Sequence, residues 1–324
     1  MSEQAPPQFV EISFTVEPNY DGWRLDLYLC DKIRRLSRAR VQQIIANDLI
    51  FERKLKPATI VRAGLTFRLR KKSDVEPNTP TEVAELYRDD DLIVFDKPSG
   101  LPIHPTARYH KGTLVTLVKE KYGEDFQADP AHRLDRETSG LVVCSRNTET
   151  ARRLMRMFAG GKVEKEYLAI TEGCPPKDDF EIEAAIAEGT ELIRIAVRID
   201  EALGKPARTR FHVEQRFERD GAPFALVRAH PETGRQHQIR IHLKVAGFPL
   251  VGDKMYGPDE GYFDRFSKHA LEPEAWVRLR LTRHALHAAK ISFTHPGTRK
   301  PFTLDSPLPA DLRDFIDGEP VVLP

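Results

Sequence analysis

Residues 22–72 carry fourteen lysines and arginines against only Asp26, Asp31, Asp48 and Glu52, an excess of +10 in a 324-residue chain whose formal net charge is +1. Everything outside that block therefore sums to −9. Charge this segregated predicts a small basic module joined to a larger acidic body, and a polyanion as its partner. The block also has helical periodicity: Leu25, Leu29, Ile33 and Leu36 recur at three and four residues. Val41, Ile44 and Ile45 repeat the pattern after Ser37, which is placed to cap a second helix. Arg34, Arg35, Arg38 and Arg40 cluster at the junction of the two helices and are candidates for phosphate contact. Strand-like Leu49–Phe51 and Leu65–Leu69 follow, and the polar, proline-containing Ser73–Thr81 reads as linker. The expected organisation is a module over 20–72, a linker over 73–84 and a larger domain over 85–320.

The larger part mixes strands and helices without regular βαβ alternation. Leu92–Phe95 and Leu141–Cys144 predict short buried strands, and Lys162–Ile170 a half-buried one. Thr148–Phe158 predicts a helix with Ala151, Leu154, Met155 and Phe158 on its apolar face. Phe211 and Val213, then Phe224 and Leu226, flank Asp220-Gly221 as a hairpin would. The fold class expected is α+β: a largely antiparallel, mixed central sheet with flanking helices, plus a small N-terminal α/β module. No apolar run approaches the roughly 18 residues of a membrane helix, so no membrane partner is expected. The acidic start MSEQAPPQFVE lacks the layout of a secretory signal. Cys30, Cys144 and Cys174 form no CxxC pair, so the expectation is a reducing cytoplasm without disulfides.

Three stretches carry chemistry. In AHRLDRETSGLVVC (131–144), Asp135 sits between Arg133 and Arg136 on a polar loop that runs into an apolar strand. Guanidinium neighbours would hold such a carboxylate ionised, as a nucleophile or base requires, although a structural Asp–Arg cluster would look the same. In TGRQHQIRIHL (233–243), Thr233 and Gln236 form a capping box, and Gly247 is a fitting stop. On the helix between them Ile239, His242, Leu243 and Ala246 share a face, and Arg240, about 100° around, could reach from its edge into a cleft. KVEKEYLAI (162–170) carries Tyr167 on a strand, a position more often used for packing. The histidine spacing argues for no metal, and no phosphate loop is present. His132 to Asp135 reads His-Arg-Leu-Asp, whereas a kinase loop reads His-Arg-Asp-Leu, and Gly252-Asp253 lacks a Walker context.

Taken together, YRDDDLIVFDKPSGLPIHP (87–105), HRLDRETSGL (132–141), KEYLAI (165–170), TGRQHQIRIHLKVAGFPLVGDKMYG (233–257) and LHAAKISFTHP (286–296) resemble the RluA-type pseudouridine synthase family, in the family's order. RLDLYLCDKIRRLSRARVQQII (24–45) is similar to the S-four-type RNA-binding domain that precedes many such enzymes. It departs from that pattern where a glycine and a Val-Asn-Gly turn are usual, reading Asn47 to Arg53 instead. The resemblance implies isomerisation of uridine to pseudouridine in a structured RNA bound in a central cleft, with no metal or organic cofactor. It implies Asp135 as the carboxylate that attacks or deprotonates the nucleotide, Arg240 as its partner, and Tyr167 stacked on the base. Arg133 would help displace the base, with His132, Arg136, Arg235, His237, Gln238 and Leu286 around the substrate. Large-subunit ribosomal RNA or a pre-ribosomal particle is the implied partner, transfer RNA the second choice, and DNA is not expected.

Two other classes compete. A non-catalytic RNA-binding or ribosome-assembly factor would have no chemical need for Asp135, Tyr167 and Arg240 together. A glycosidase needs paired carboxylates, and only one lies in a motif here.

Overall fold

The computed structural model describes residues 9–33, 36–72, 76–106, 109–189, 196–268 and 270–324, and the chain divides into two compact units, Met1–Pro77 and Asn78–Pro324. Arg34 and Arg35, and residues 73–75 of the expected linker, lie outside the described residues.

In the first unit, β1 (Phe9–Thr15), α1 (Leu25–Lys32), α2 (Arg38–Asn47), β2 (Leu49–Ile50) and β3 (Thr66–Lys72) follow in chain order. The sheet runs β1-β3-β2. The helical periodicity lands where it must: Leu25, Leu29, Val41 and Ile45 face Val61, Phe67 and Leu69 in one apolar core. Ser37 caps α2, its Oγ accepting the Arg40 amide at 3.3 Å. Arg38 is not a free phosphate contact. With Arg24 and Gln42 it donates to the buried carboxylate of Asp26, at 2.9 Å from Nη2. A charge of this kind is tolerated in a core only when its oxygens are hydrogen-bonded. Arg40 donates to Gln43 on the exposed side of α2.

The second unit comprises β4 (Ala84–Arg88), β5 (Leu92–Lys97), α3 (Leu114–Tyr122), β6 (Asp129–Pro130), β7 (Ser139–Ser145), α4 (Thr148–Ala159), β8 (Glu164–Glu172), β9 (Asp179–Glu183), β10 (Ile186–Glu188), β11 (Val197–Ile199), β12 (Arg208–Arg219), β13 (Ala222–Pro231), α5 (Gln238–Val245), α6 (Tyr262–Ser267), α7 (Pro273–Leu279), β14 (Leu286–Thr294), β15 (Pro301–Asp305) and α8 (Ala310–Asp317). One large sheet runs β4-β5-β7-β14-β8-β13-β12-β9, with β15 on β14 and β6 on β7. Its pairs are antiparallel except β7 with β14. This is the α+β class expected. Asp220 and Gly221 both have positive φ (50° and 70°), the two-residue turn that matches strand twist in the β12–β13 hairpin.

Both faces of the sheet are covered, which is why β5 and β7 read as unbroken apolar runs. Ile93, Phe95, Val142 and Cys144 face α3. Leu92, Val94, Leu141 and Val143 face Leu154 of α4. The stripe of α4 differs from the expected one. Thr150 and Leu154 are its buried residues, whereas Met155 is 69% exposed. Thr150 turns inward because its hydroxyl donates to Asp91 at 2.8 Å, which rotates the helix away from the apolar count. On the α3 face, α5 buries Ile239 and Leu243 against β8, β12 and β13. Tyr167 of β8 packs against both the α3 and the α5 clusters, so it lies at the seam between them.

β7 and β14 approach so closely that Gly140 admits no side chain. Its φ is +109°, and a β-carbon there would fall within 3.0 Å of the Ala288 backbone. Gly140→Ala combines backbone strain with a steric clash between two central strands, and should destabilise this unit by about 3 kcal/mol or more. Thermal unfolding of the purified variant tests this; a melting temperature equal to that of the parent would contradict it.

Candidate active site

The cleft at the Tyr167 seam has a volume of about 290 Å³, with Asp135, Tyr167, Lys165, Ile239, Arg240 and Leu286 among its lining. That is just under the roughly 300–1,000 Å³ of typical ligand pockets, and suits one nucleoside-sized group. Asp135 also lines a second cavity of about 690 Å³, bounded by Tyr109, Arg136, Phe266 and His284. A further cavity of this unit, about 1060 Å³, is lined by Lys97, Arg283, His287 and Asp311 but by neither Asp135 nor Tyr167.

The loop before β7 holds Asp135, and it is pinned from below. Lys97, wholly buried at the end of β5, donates to the carbonyls of Pro98, Leu101 and Arg136 at 2.9–3.0 Å. Burial first, then the charge of Arg283, lowers its ammonium to about 7. Ser99 Oγ donates to the Glu137 carbonyl at 2.8 Å. Glu137 in turn takes Lys254 at 3.0 Å and Arg136 at 2.9 Å. His132 braces the same loop. Its Nε2 accepts the Val143 amide at 3.1 Å, and its ring stacks on Phe158.

The guanidinium that holds Asp135 is neither of its sequence neighbours. Arg136 turns to Glu137 and to the Tyr109 hydroxyl, and Arg133 is exposed at the cleft lip. Arg240 donates instead, from Nη1 to Asp135 Oδ2 at 2.8 Å. Its remaining fork closes on Asp253, Nε to Oδ2 at 2.7 Å and Nη2 to Oδ1 at 2.8 Å. Asp253 Oδ1 also accepts the amides of Met255 and Tyr256. Arg240 is therefore not at the edge of the helix face but 5% exposed, and Asp253 is fully buried. Its guanidinium lies over the Tyr256 ring, 5.0 Å from the centroid.

Burial would raise the Asp135 carboxyl, but neighbouring positive charge outweighs it and holds it at about 2. His237 and His284 are themselves pushed down by burial, to about 4 and about 3, so Arg240 is the cation that acts on Asp135 at neutral pH. Burial and then the charge of Asp135 raise the Tyr167 phenol, which stays protonated. A carboxylate kept ionised beside a protonated aromatic hydroxyl can attack an electrophilic carbon or remove a proton.

The expected capping box is absent. α5 begins at Gln238, its N-cap is His237 in the left-handed region (φ +52°), and Thr233 donates to the Gln238 side chain at 2.7 Å. Gln238 is buried, and its amide donates to the Arg208 carbonyl and to Thr209. It rivets the loop and is also among the residues that line the cleft. Arg235 and Leu286 line the cleft, and Arg235 Nε donates to the Pro206 carbonyl. Asp253, Tyr256, Lys97 and Glu137 escaped the sequence reading. Their signal was polar residues just beyond apolar runs, Lys97 after LIVF and Asp253 after PLVG. Among the described residues no group of three or more metal-ligating side chains is assembled, and no helix is long and apolar enough to cross a membrane.

Residues 91–244 match the sequence profile of the RNA pseudouridylate synthase family. An RNA pseudouridine synthase of Chloroflexus aurantiacus, itself described as uncharacterized, is 34% identical over 92% of this chain and 90% of its own length. The ribosomal large subunit pseudouridine synthase D of Nitrosomonas europaea is 33% identical over 95% of this chain and 87% of its own. Among solved structures, the human RNA pseudouridylate synthase domain containing 1 protein shares the fold with a TM-score of 0.57 and 27% identity, over 72% of this chain and 86% of that one. The chain belongs to the RNA pseudouridine synthase family, whose enzymes isomerise uridine to pseudouridine in RNA.

Removing the Arg240 guanidinium strands the buried carboxylate of Asp253 and the half-buried one of Asp135. Arg240→Ala should cost about 3–5 kcal/mol of stability, and Arg240→Lys should recover only part because a point charge cannot span both acids. The Asp135 contribution has a definite sign. Its folded pKa of about 2 lies below the usual value of about 3.9, so the stability is present above pH 4 and lost as pH falls toward 2. Chemical unfolding at pH 7 and pH 3 checks this: the gap between parent and Arg240→Ala should narrow at pH 3.

Proposed function

We propose that this chain modifies uridine in large-subunit ribosomal RNA, with Asp135 as the reacting carboxylate, Arg240 as the cation that keeps it ionised, and Tyr167 as the surface on which the base stacks. The observation that carries the reading is the pair Asp135 and Arg240, 2.8 Å apart on the wall of a nucleoside-sized cleft. The reaction breaks the bond from ribose C1′ to uracil N1, turns the base and rejoins it through C5. The C5 proton is then lost and N1 takes up a proton, so atoms balance without an outside reductant or nucleotide. Asp135 serves this by attacking C1′ or by removing a ribose proton. Flipping a base out of its stack costs a few kcal/mol, which Arg133 at the exposed lip is placed to offset by filling the gap. The ribosomal target is supported by the relatives that are named ribosomal large subunit pseudouridine synthases. Residues 22–72 of the first unit act as an electrostatic RNA clamp through their +10 excess, and the cytoplasm, where such RNA is assembled, is the site of action.

Asp135→Asn should leave folding and RNA affinity nearly intact while abolishing turnover. Tritium release from uridine labelled at C5 in bulk RNA measures this. A variant that keeps even about a tenth of the single-turnover rate, a barrier change under about 1.4 kcal/mol, would refute the assignment. Pseudouridine mapping in a strain lacking the gene then separates ribosomal from transfer RNA targets.

Removal of residues 1–72 should weaken RNA binding and flatten its salt dependence, because phosphate contacts release counterions. Rates at saturating RNA should survive. Affinity at several salt concentrations for the whole and shortened chains tests this, and an unchanged slope would place the RNA grip on the second unit.

A further inference from the structure

The two oxygens of Asp135 have different surroundings. Oδ2 accepts from Arg240, while Oδ1 faces His237 Nε2 at 3.6 Å, beyond a closed hydrogen bond but close enough for the nitrogen's polarity to matter. Whether that nitrogen presents a hydrogen or a lone pair is decided on the far side of the ring. There, His237 Nδ1 lies 2.8 Å from the Tyr256 hydroxyl, and the same hydroxyl oxygen accepts the Val197 amide at 2.8 Å. An amide can only donate, so the hydroxyl must direct its single proton elsewhere. Tyr256 is buried, and among the described residues Nδ1 is the acceptor within reach. A hydrogen on Nδ1 instead would leave the buried hydroxyl proton without a partner, which folded proteins avoid. A neutral imidazole carries one hydrogen, so with Nδ1 accepting it resides on Nε2.

We propose that Tyr256 is a positioning residue that locks His237 in its Nε2–H tautomer, so that a neutral N–H donor faces the Asp135 oxygen that Arg240 leaves free. The inference rests on the reading of Asp135 as the reacting carboxylate. A neutral donor orients that oxygen without cancelling its charge, which a second cation would do. The groups facing His237 are Asp135 and Asp253, which favour its protonation, Arg240 and Arg133, which oppose it, and Tyr256. Burial is the largest influence and prevails, so the ring is uncharged at neutral pH. The left-handed backbone at His237 swings the ring out of the helix and into this position between Tyr256 and Asp135.

Two measurements on the full-length protein test this. Histidine ¹⁵N chemical shifts, with the His237 signal assigned by its loss in His237→Gln, should show Nδ1 unprotonated and Nε2 protonated at pH 7.5. An Nδ1–H signal would overturn the proposal, and this reading needs no variant of Tyr256 to fold. Tyr256→Phe removes only the hydroxyl and keeps the ring beneath Arg240. Its single-turnover rate at pH 7.5 should fall about five- to tenfold, the effect of about one lost neutral hydrogen bond, with RNA affinity unchanged. The ratio of variant to parent rate should rise as pH is lowered from 7.5 to 4, where the His237 ring titrates, because a doubly protonated His237 again offers Nε2–H to Asp135. A ratio that stays flat with pH would mean that the hydroxyl serves packing alone. If Asp135→Asn keeps its turnover while the tautomer is as expected, the catalytic reading falls and the lock stands as a structural feature.

Discussion

Arg240 is the interaction on which the rest depends. One guanidinium closes a two-point clamp on the fully buried Asp253 and extends its third arm to Asp135. Two carboxylates and one guanidinium leave a net negative charge, tolerable because one carboxylate is fully hydrogen-bonded and the other reaches solvent. Asp253 takes two backbone amides, and Asp135 lies at the cleft wall, where it keeps some exposure. The clamp also fixes direction. With Nε and Nη2 committed to Asp253, Nη1 can point only toward Asp135. A lysine could satisfy either charge but not this geometry.

Around that clamp the loop carrying Asp135 is over-determined from below. Lys97 gathers three carbonyls, one of them from Arg136, and the Glu137 carboxylate collects Lys254 and Arg136. These buried charges contribute little net stability for their burial. What they provide is a loop whose backbone cannot drift, and proximity effects in catalysis are lost with displacements of about 1 Å. The candidate site and fold stability thus draw on one polar network in the second unit. The N-terminal unit builds its own, smaller version on Asp26, to which Arg24 and Arg38 are committed.

Much of this was legible in the sequence because it is local. Short apolar runs marked β5 and β7, alternation marked β8, and a 3.6-residue period marked α1 and α2. Asp220-Gly221 named its own turn, and Ser37 its own cap. The order of the motif blocks identified the family. Local logic failed where a distant partner competes. The stripe on α4 is rotated by Thr150 reaching Asp91, 59 residues away in sequence. Thr233 gave up the expected cap because Gln238 recruited its hydroxyl into the rivet beneath α5.

The site itself divides the same way. Sequence alone determined that Asp135 lies on a loop entering a buried strand, that Tyr167 is on a strand and that Arg240 is on an amphipathic helix. Only tertiary structure decided that Asp135 is held by Arg240, 105 residues away, rather than by Arg133 or Arg136 beside it. Neighbouring residues on a loop point in divergent directions, and electrostatic attraction in water is too weak over such distances to gather them. The order β7-β14-β8-β13 sets α5 against the face that carries Tyr167, and burial removes the water between the charges. Chain proximity counts for little there, because within a packed interior the strength of a charge pair is set by distance and desolvation, and both are properties of the fold.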